Sequence, residues 1–227
     1  MPRETDAERR QRARRIVRRL AAAYPDARCA LDFRTPFELL VATILSAQCT
    51  DKKVNEVTPA LFARHPTPQA LAAAPPADVE AMIRPTGFYR QKARAIQATA
   101  RALTERFGGR VPGTMEELLT LPGVARKTAN VVLGNAFGVP GLTVDTHMKR
   151  VHLRLGLTEH EDPVKIERDL MALIPEREWT AYSHRVIHHG RFCCDARRPR
   201  CEACPLAAEC PWPRARAGVR SEAAPTR

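Results

Sequence analysis

Leu121-Pro122-Gly123-Val124-Ala125-Arg126-Lys127-Thr128-Ala129 is the stretch that decides the architecture. Proline removes a backbone donor and fixes φ, while glycine accepts a left-handed turn without steric penalty. Pro122-Gly123 therefore breaks a helix and turns the chain tightly. A capping box, Thr114 with Glu117, opens a helix before the turn, and a second helix follows it. Amide N–H groups at the turn and at the start of the second helix have no intrahelical acceptor. Such a hairpin is a ready anion site, and a phosphate fits it.

Outward from the hairpin the periodicity is helical wherever it is clear, and no segment alternates as a strand. Thr35-Pro36-Phe37-Glu38 reads as a helix start with Thr35 as N-cap and Glu38 completing a capping box. The nearly continuous apolar run Phe37 to Leu45 predicts a central helix buried on most sides. Asp51 is expected to cap a helix through Leu61, and short helices are expected at 68–73 and 77–83. Ile96, Ala100, Leu103 and Phe107 form a stripe ended by Gly108-Gly109. Val144, Met148, Val151 and Leu155 share a face, as do Ile166, Leu170 and Leu173 after Asp162-Pro163. Trp179, Tyr182, Val186 and His189 suggest a last helix. The fold class is all-α.

The chain has 227 residues with 44% hydrophobic content, enough for one large domain or two small ones. Its formal net charge is +12, from 37 Lys and Arg against 25 Asp and Glu. That excess suits a polyanion, because neutralised phosphates release condensed counterions; a basic protein without such a partner stays open. No long amphipathic helix pairs basic residues with exposed aromatics, and no apolar run approaches about 18 residues, so no membrane association is expected. Met1 to Leu20 lacks the apolar stretch of a secretory signal, and Glu4, Asp6 and Glu8 argue against an organelle presequence. The expected location is the cytoplasm, where seven cysteines read as metal ligands or thiols rather than disulfides.

Cys194, Cys201, Cys204 and Cys210 follow C-x6-C-x2-C-x5-C, four thiolates within 17 residues. So short a segment cannot hold much core, and a cross-linking metal centre is its natural stabiliser. Zinc and a [4Fe–4S] cluster both suit four thiolates. A single C-x2-C knuckle, where zinc ribbons usually pair two, favours iron–sulfur. Cys193 is an alternative first ligand, and Cys29 and Cys49 read as buried thiols. Between Cys194 and Cys201, Arg197, Arg198 and Arg200 make either a phosphate clamp or a solvated basic loop. His184 and His188 have i, i+4 spacing, but with no carboxylate nearby they read as a polar helix face.

Lys127 falls in the first turn of the second hairpin helix, and Asp145, 18 residues on, can cap a helix starting at Thr146. A helix N-terminus disfavours an ammonium and favours a carboxylate, which suits a lysine nucleophile and an ionised aspartate. Lys127 as another phosphate contact is the alternative.

Ser46-Ala47-Gln48-Cys49-Thr50-Asp51, the hairpin, Val144-Asp145-Thr146-His147, His189-Gly190-Arg191 and the four-cysteine spacing occur in this order between about Cys29 and Cys210. Together they resemble the endonuclease III family of helix-hairpin-helix DNA glycosylases. The resemblance implies a six-helix barrel domain over 29–139 that contains the hairpin. It implies a second domain, 1–28 with 140–212, holding a [4Fe–4S] cluster on Cys194 and leaving Cys193 out. The segment 213–227, rich in Arg, Ala and Pro, is expected to be an unstructured tail.

By the same resemblance Lys127 is the nucleophile, Asp145 the catalytic aspartate, and Gln48 fills the gap left by a flipped nucleotide. The implied DNA contacts are Gln48, Phe88, Gly123, Ala125, Arg126 and His147, joined by Arg197, Arg198 and Arg200. The implied activity is a DNA N-glycosylase and abasic-site lyase of base excision repair. It would remove oxidised pyrimidines of the thymine glycol type and cut 3′ to the abasic site by β-elimination through a Schiff base. The implied partner is double-stranded DNA with damaged bases or abasic sites, bound by a monomer in a bacterial-type cytoplasm at the nucleoid. Lysine at 127 favours the bifunctional branch, because the adenine-excising branch lacks it. Enzymes acting on pyrimidine dimers or alkylated bases, and a non-catalytic DNA-binding module, are the competing readings.

Two positions depart from the family pattern. Ala125 replaces the second glycine of the hairpin, and its Cβ is expected to narrow the turn. Gly87-Phe88-Tyr89 stands where the family often carries a leucine wedge. Phe88 either stacks on a base, at roughly 1–3 kcal/mol per stacked base, or packs inside.

Overall fold

The computed structural model describes residues 4–212, and the tail expected over 213–227 lies outside the described residues. Among them are eleven α-helices and no strand, so the fold is all-α. In chain order the helices are α1 (Asp6–Ala23), α2 (Pro36–Leu45), α3 (Asp51–Arg64), α4 (Pro68–Ala73), α5 (Pro76–Ile83), α6 (Tyr89–Phe107), α7 (Met115–Leu118), α8 (Arg126–Val132), α9 (Thr146–Leu155), α10 (Pro163–Leu173) and α11 (Trp179–Phe192). A π-helical turn, Leu133–Phe137, continues α8, and a 3₁₀ turn, Arg84–Thr86, follows α5. No helix is long and apolar enough to cross a membrane. The chain divides into two compact units, Cys29–Gly141 and the pair Met1–Arg28 with Leu142–Arg227.

In the first unit α2 is the pillar. Every residue from Phe37 to Leu45 is buried, and α3, α6 and α8 pack on its sides. Leu39, Leu40, Leu61, Ile96, Leu103 and Val132 share this core, each fully buried aliphatic contributing roughly 1.5–3 kcal/mol over an exposed one. Three helix starts differ from the sequence reading. At Thr114 the Glu117 carboxylate accepts from the Thr114 hydroxyl at 2.7 Å, so that capping box stays open. Thr35 accepts from the amide of Glu38, but Glu38 does not close the capping box. Its carboxylate takes the Arg34 amide at 2.7 Å and the Arg34 guanidinium at 2.7 Å instead. A charged fork is a stronger donor than a neutral amide, so it wins the carboxylate. The α3 cap is Thr50, extended at φ −74°, ψ 144° and accepting from Lys53 N at 3.3 Å, while Asp51 is the first helical residue.

In the second unit α1 packs on α10 and α11, and α11 packs on α9. Ile16, Leu20, Met148, Val151, Leu170, Tyr182 and Val186 form its core. The cysteine segment is tied down by α1. Arg12 donates to the carbonyls of Leu155 and Glu209, and Arg15 pairs with the buried Glu209 carboxylate at 3.1 Å. Part of the positive charge counted in the sequence is therefore spent inside the protein.

Candidate active site and metal centre

In the first unit the hairpin runs from α7 to α8 with Leu121 and Val124 turned into the core and Pro122, Gly123 and Ala125 outward. Thr99 on α6 donates its hydroxyl to the Pro122 carbonyl and anchors the turn. Gly123 sits at φ +76°, a backbone that favours glycine, and a Cβ there would lie a tight 3.2 Å from Ala95 Cβ. Ala125 is extended at φ −96°, ψ 169°, a conformation open to any residue, and caps α8 with no side-chain acceptor on its first turn. Its Cβ is exposed and demands no backbone change. Arg126 is half-buried and Lys127 is exposed at the second position of α8.

Among the described residues two that are not glycine hold a positive φ, Gln48 at 51° and Phe88 at 46°. Both are exposed, Phe88 to 62%, so Phe88 does not pack inside. Strained backbone of this kind persists only where its surroundings impose it, and it gathers at functional loops. The loop at Phe88 is held from beneath: the buried Lys92 ammonium donates to the Thr86 carbonyl at 2.8 Å.

In the second unit Asp145 is the N-cap of α9, its Oδ1 accepting from Met148 N at 2.8 Å, which fixes the carboxylate at the positive end of that helix. One turn on, Arg150 donates to the Gly190 carbonyl at 2.7 Å, to the Cys194 carbonyl at 3.2 Å and to His147 Nδ1 at 3.1 Å. Arginine only donates, so Nδ1 accepts and Nε2 of a neutral His147 carries the proton. Burial above all, aided by Arg150 and Arg191 and opposed by Asp145, pushes this imidazole below the ordinary histidine range. Gly190 is required by proximity: a Cβ there would meet His147 Cβ at 2.9 Å.

Cys194, Cys201, Cys204 and Cys210 line one cavity whose remaining wall includes Val151, Leu155, Pro199 and Leu206. The seven cysteines form no disulfide. Burial pushes the thiols of Cys210 and Cys204 up, Cys204 to about 12. Converging soft donors that burial keeps protonated, in an apolar wall, match a site that a thiolate-binding metal centre completes. Arg154 holds the segment from α9, donating to Cys194 Sγ at 3.2 Å and to the carbonyls of Asp195 and Ala196, with Trp212 stacked at 4.3 Å. Cys193 lines the same cavity, but its thiol donates to the Arg200 carbonyl at 3.8 Å. His189, Cys193 and Cys204 also place their donor atoms within 4.8 Å of one another, a second possible metal group. Arg197, Arg198 and Arg200 are exposed, on a loop bent by Asp195, whose carboxylate accepts from the amides of Arg197 and Arg198 at 2.8 Å each.

Residues 41–176 match the HhH-GPD superfamily of base excision DNA repair proteins. Endonuclease III of Synechocystis sp. is 57% identical over 206 residues, covering 90% of this chain and 94% of that protein. Two solved structures, one described as a non-covalent endonuclease III–DNA complex and one as a trapped endonuclease III–DNA covalent intermediate, superpose with TM-score 0.88. Both are 46% identical, covering 92% of this chain and 98% of theirs. The chain belongs to the endonuclease III family. It is accordingly a base excision repair enzyme, a DNA glycosylase with AP lyase activity.

The endonuclease III motifs fall on structured positions. The hairpin and Lys127 lie in the first unit, and Asp145, His147 and the four cysteines in the second. Cys29 and Cys49, read as buried, are half-buried, packing against the first core from its rim. His184 is half-buried and His188 exposed, its ring tilted against those of Tyr24 and Phe192, so the pair is not a uniformly polar face. Sequence reasoning missed Arg150 and Arg154. Nothing in their spacing separates them from other surface arginines, because their acceptors are carbonyls some 40 residues away along the chain.

Proposed function

We propose that the chain removes oxidised pyrimidines of the thymine glycol type from double-stranded DNA and cleaves abasic sites through a lysine Schiff base, acting as a cytoplasmic monomer. The observation that carries the covalent route is Lys127, an exposed amine in the first turn of α8 behind an exposed Pro-Gly turn. A relative of 46% identity described as a trapped covalent intermediate with DNA supports it.

A damaged nucleotide is extruded, at least cost where stacking is already poor. The Lys127 amine attacks C1′, the bond from C1′ to the base breaks, and the base leaves with that electron pair and takes up a proton. Asp145 stabilises the positive charge that develops on the sugar and assists proton transfer. Opening of the sugar ring gives an imine between Lys127 and C1′. Loss of a proton from C2′ then expels the 3′ oxygen, breaking the strand on that side, and water releases the lysine. Gly123, Ala125 and Arg126 grip the phosphate backbone, Gln48 and Phe88 occupy the space opened in the stack, and Phe88 supplies a π-face for a base. His147 presents its Nε2 proton to the DNA, and Arg197, Arg198 and Arg200 hold phosphates.

Cys194, Cys201, Cys204 and Cys210 would hold a [4Fe–4S] cluster, which supplies the cross-link that a short cysteine segment lacks. The Cys193 thiol, occupied with a carbonyl, supports Cys194 as first ligand.

The expected outcome is covalent trapping of the protein on abasic-site DNA by borohydride. Lys127→Ala abolishes trapping while DNA binding persists, and Asp145→Asn lowers base release far more than binding. Trapping that survives in Lys127→Ala overturns the nucleophile; a wild type that never traps or cleaves identifies a binding module. A panel of duplexes bearing oxidised, alkylated or dimerised pyrimidines, scored for base release, fixes the lesion class.

A further inference from the structure

His189 is 1% exposed and closes α11 over the cysteine segment, yet no step of the repair chemistry uses it. Its backbone carbonyl accepts from the amides of Cys193 at 2.9 Å and Cys194 at 2.8 Å. Its ring lies between two partners: Nδ1 is 2.9 Å from the hydroxyl of Tyr24, the C-cap of α1, and Nε2 is 3.8 Å from Cys204 Sγ. A metal-bound thiolate has no proton to give. A bare Nε2 lone pair would then face sulfur lone pairs with nothing between them. The stable tautomer has its proton on Nε2, directed at the sulfur, with Nδ1 accepting from the Tyr24 O–H. The thiolate thus selects the tautomer, and Tyr24 supports it by donating to Nδ1. Cys204 Sγ also receives the Leu206 amide at 3.4 Å, a donor fixed by the backbone. The Cys193 thiol also reaches Cys204, and the histidine is the side-chain donor that carries an N–H.

We propose that Tyr24 and His189 form a positioning relay onto the Cys204 sulfur that raises the reduction potential of the iron–sulfur cluster and protects it from oxidative loss. The proposal rests on the assignment of that cluster to Cys194, Cys201, Cys204 and Cys210. A donor to a ligating sulfur stabilises the more negative, reduced form of the cluster, so removing it makes oxidation easier. Oxidised clusters lose iron, and the same change therefore shortens cluster lifetime.

The test uses purified holoenzyme and its variants Tyr24→Phe, His189→Leu and His189→Gln. Tyr24→Phe removes one hydroxyl and keeps the ring that packs, tilted, against His188 at 5.0 Å. Iron and sulfide content, midpoint potential by electrode voltammetry, and the rate of bleaching by ferricyanide are measured. The expected result is full loading of Tyr24→Phe with a lowered potential and faster bleaching. His189→Leu gives a larger shift of the same sign, and His189→Gln, which keeps an N–H donor, restores part of it. A fully loaded Tyr24→Phe with wild-type potential and bleaching rate overturns the relay. Strong nitrogen hyperfine coupling in pulsed EPR of the oxidised wild type also overturns it, making His189 a ligand. Wild-type protein without iron and sulfide removes the cluster assignment itself, a failure distinct from the others.

Discussion

Gly123 and Ala125 sit two residues apart in the hairpin, and the backbone asks different things of them. At φ +76° a side chain at 123 meets the left-handed penalty of roughly 1–2 kcal/mol, and its Cβ also presses on Ala95. At 125 the extended backbone gives glycine no advantage, and only unfolded-chain entropy separates the two residues, at about 0.5–1 kcal/mol. Gly123→Ala is therefore expected to lower the melting temperature and weaken binding to an abasic-site duplex, whereas Ala125→Gly changes affinity by less than about 1 kcal/mol. Fluorescence anisotropy and thermal melts check both. A large gain in affinity for Ala125→Gly would mean that the alanine Cβ does obstruct the phosphate. The contrast also marks a limit of reading residues from a motif: the Pro-Gly break was legible because proline and glycine act through their own backbone. Which glycine of the pattern is indispensable was not, because that depends on the neighbouring helix.

Helices, by contrast, were legible in existence and nearly in extent. Thr35 and Thr114 each accept from the amide three residues on, and the stripes on α6, α9 and α10 turn inward. The errors lie where two acceptable local partners compete, as when Arg34 takes the Glu38 carboxylate from the capping box. Polar pairs between helices were not legible at all. His152 on α9 is fully buried, its Nδ1–H donating to the Met148 carbonyl at 2.7 Å and its Nε2 accepting from the Tyr182 hydroxyl of α11 at 2.8 Å. Burial, only partly offset by the Met148 hydrogen bond, pushes its pKa down from 6.5 to about 4. The folded state thus binds its proton less tightly than the unfolded chain, and the contribution is fully present above pH 6.5. It declines as pH falls through that value toward 4, by on the order of 3 kcal/mol in all. His152→Gln can keep both hydrogen bonds without titrating. Its stability relative to wild type is expected to rise between pH 7 and pH 4.5 in parallel thermal melts. A difference that stays constant with pH would sink this account.

For the molecule as a whole, the net charge of +12 suggested a polyanionic partner, and the family confirms DNA repair, but the charge is not spread as a uniform coat. On α1, Arg12 and Arg15 are engaged with Glu4, Glu209 and backbone carbonyls, so they neutralise and cross-link the second unit from within. Arg197, Arg198 and Arg200 differ: their side chains are exposed while Asp195 and the Cys193 carbonyl hold their backbone, which leaves three guanidinium groups presented on one hydrogen-bonded loop. Composition treats the two sets alike; only their partners separate them. Each phosphate contact contributes about 0.9 to the slope of log affinity against log salt on duplex DNA. Replacing Arg197, Arg198 and Arg200 together by Gln is therefore expected to flatten that slope by up to about 2.7 and to weaken binding similarly for damaged and undamaged duplexes. Arg12→Gln and Arg15→Gln are expected to leave the slope unchanged and to lower the melting temperature, because their partners are internal. Titrations of an abasic-site duplex at several salt concentrations, with a melt of each variant, distinguish the two sets. A slope that falls for Arg12→Gln and holds for the loop variant would place the DNA on α1 instead.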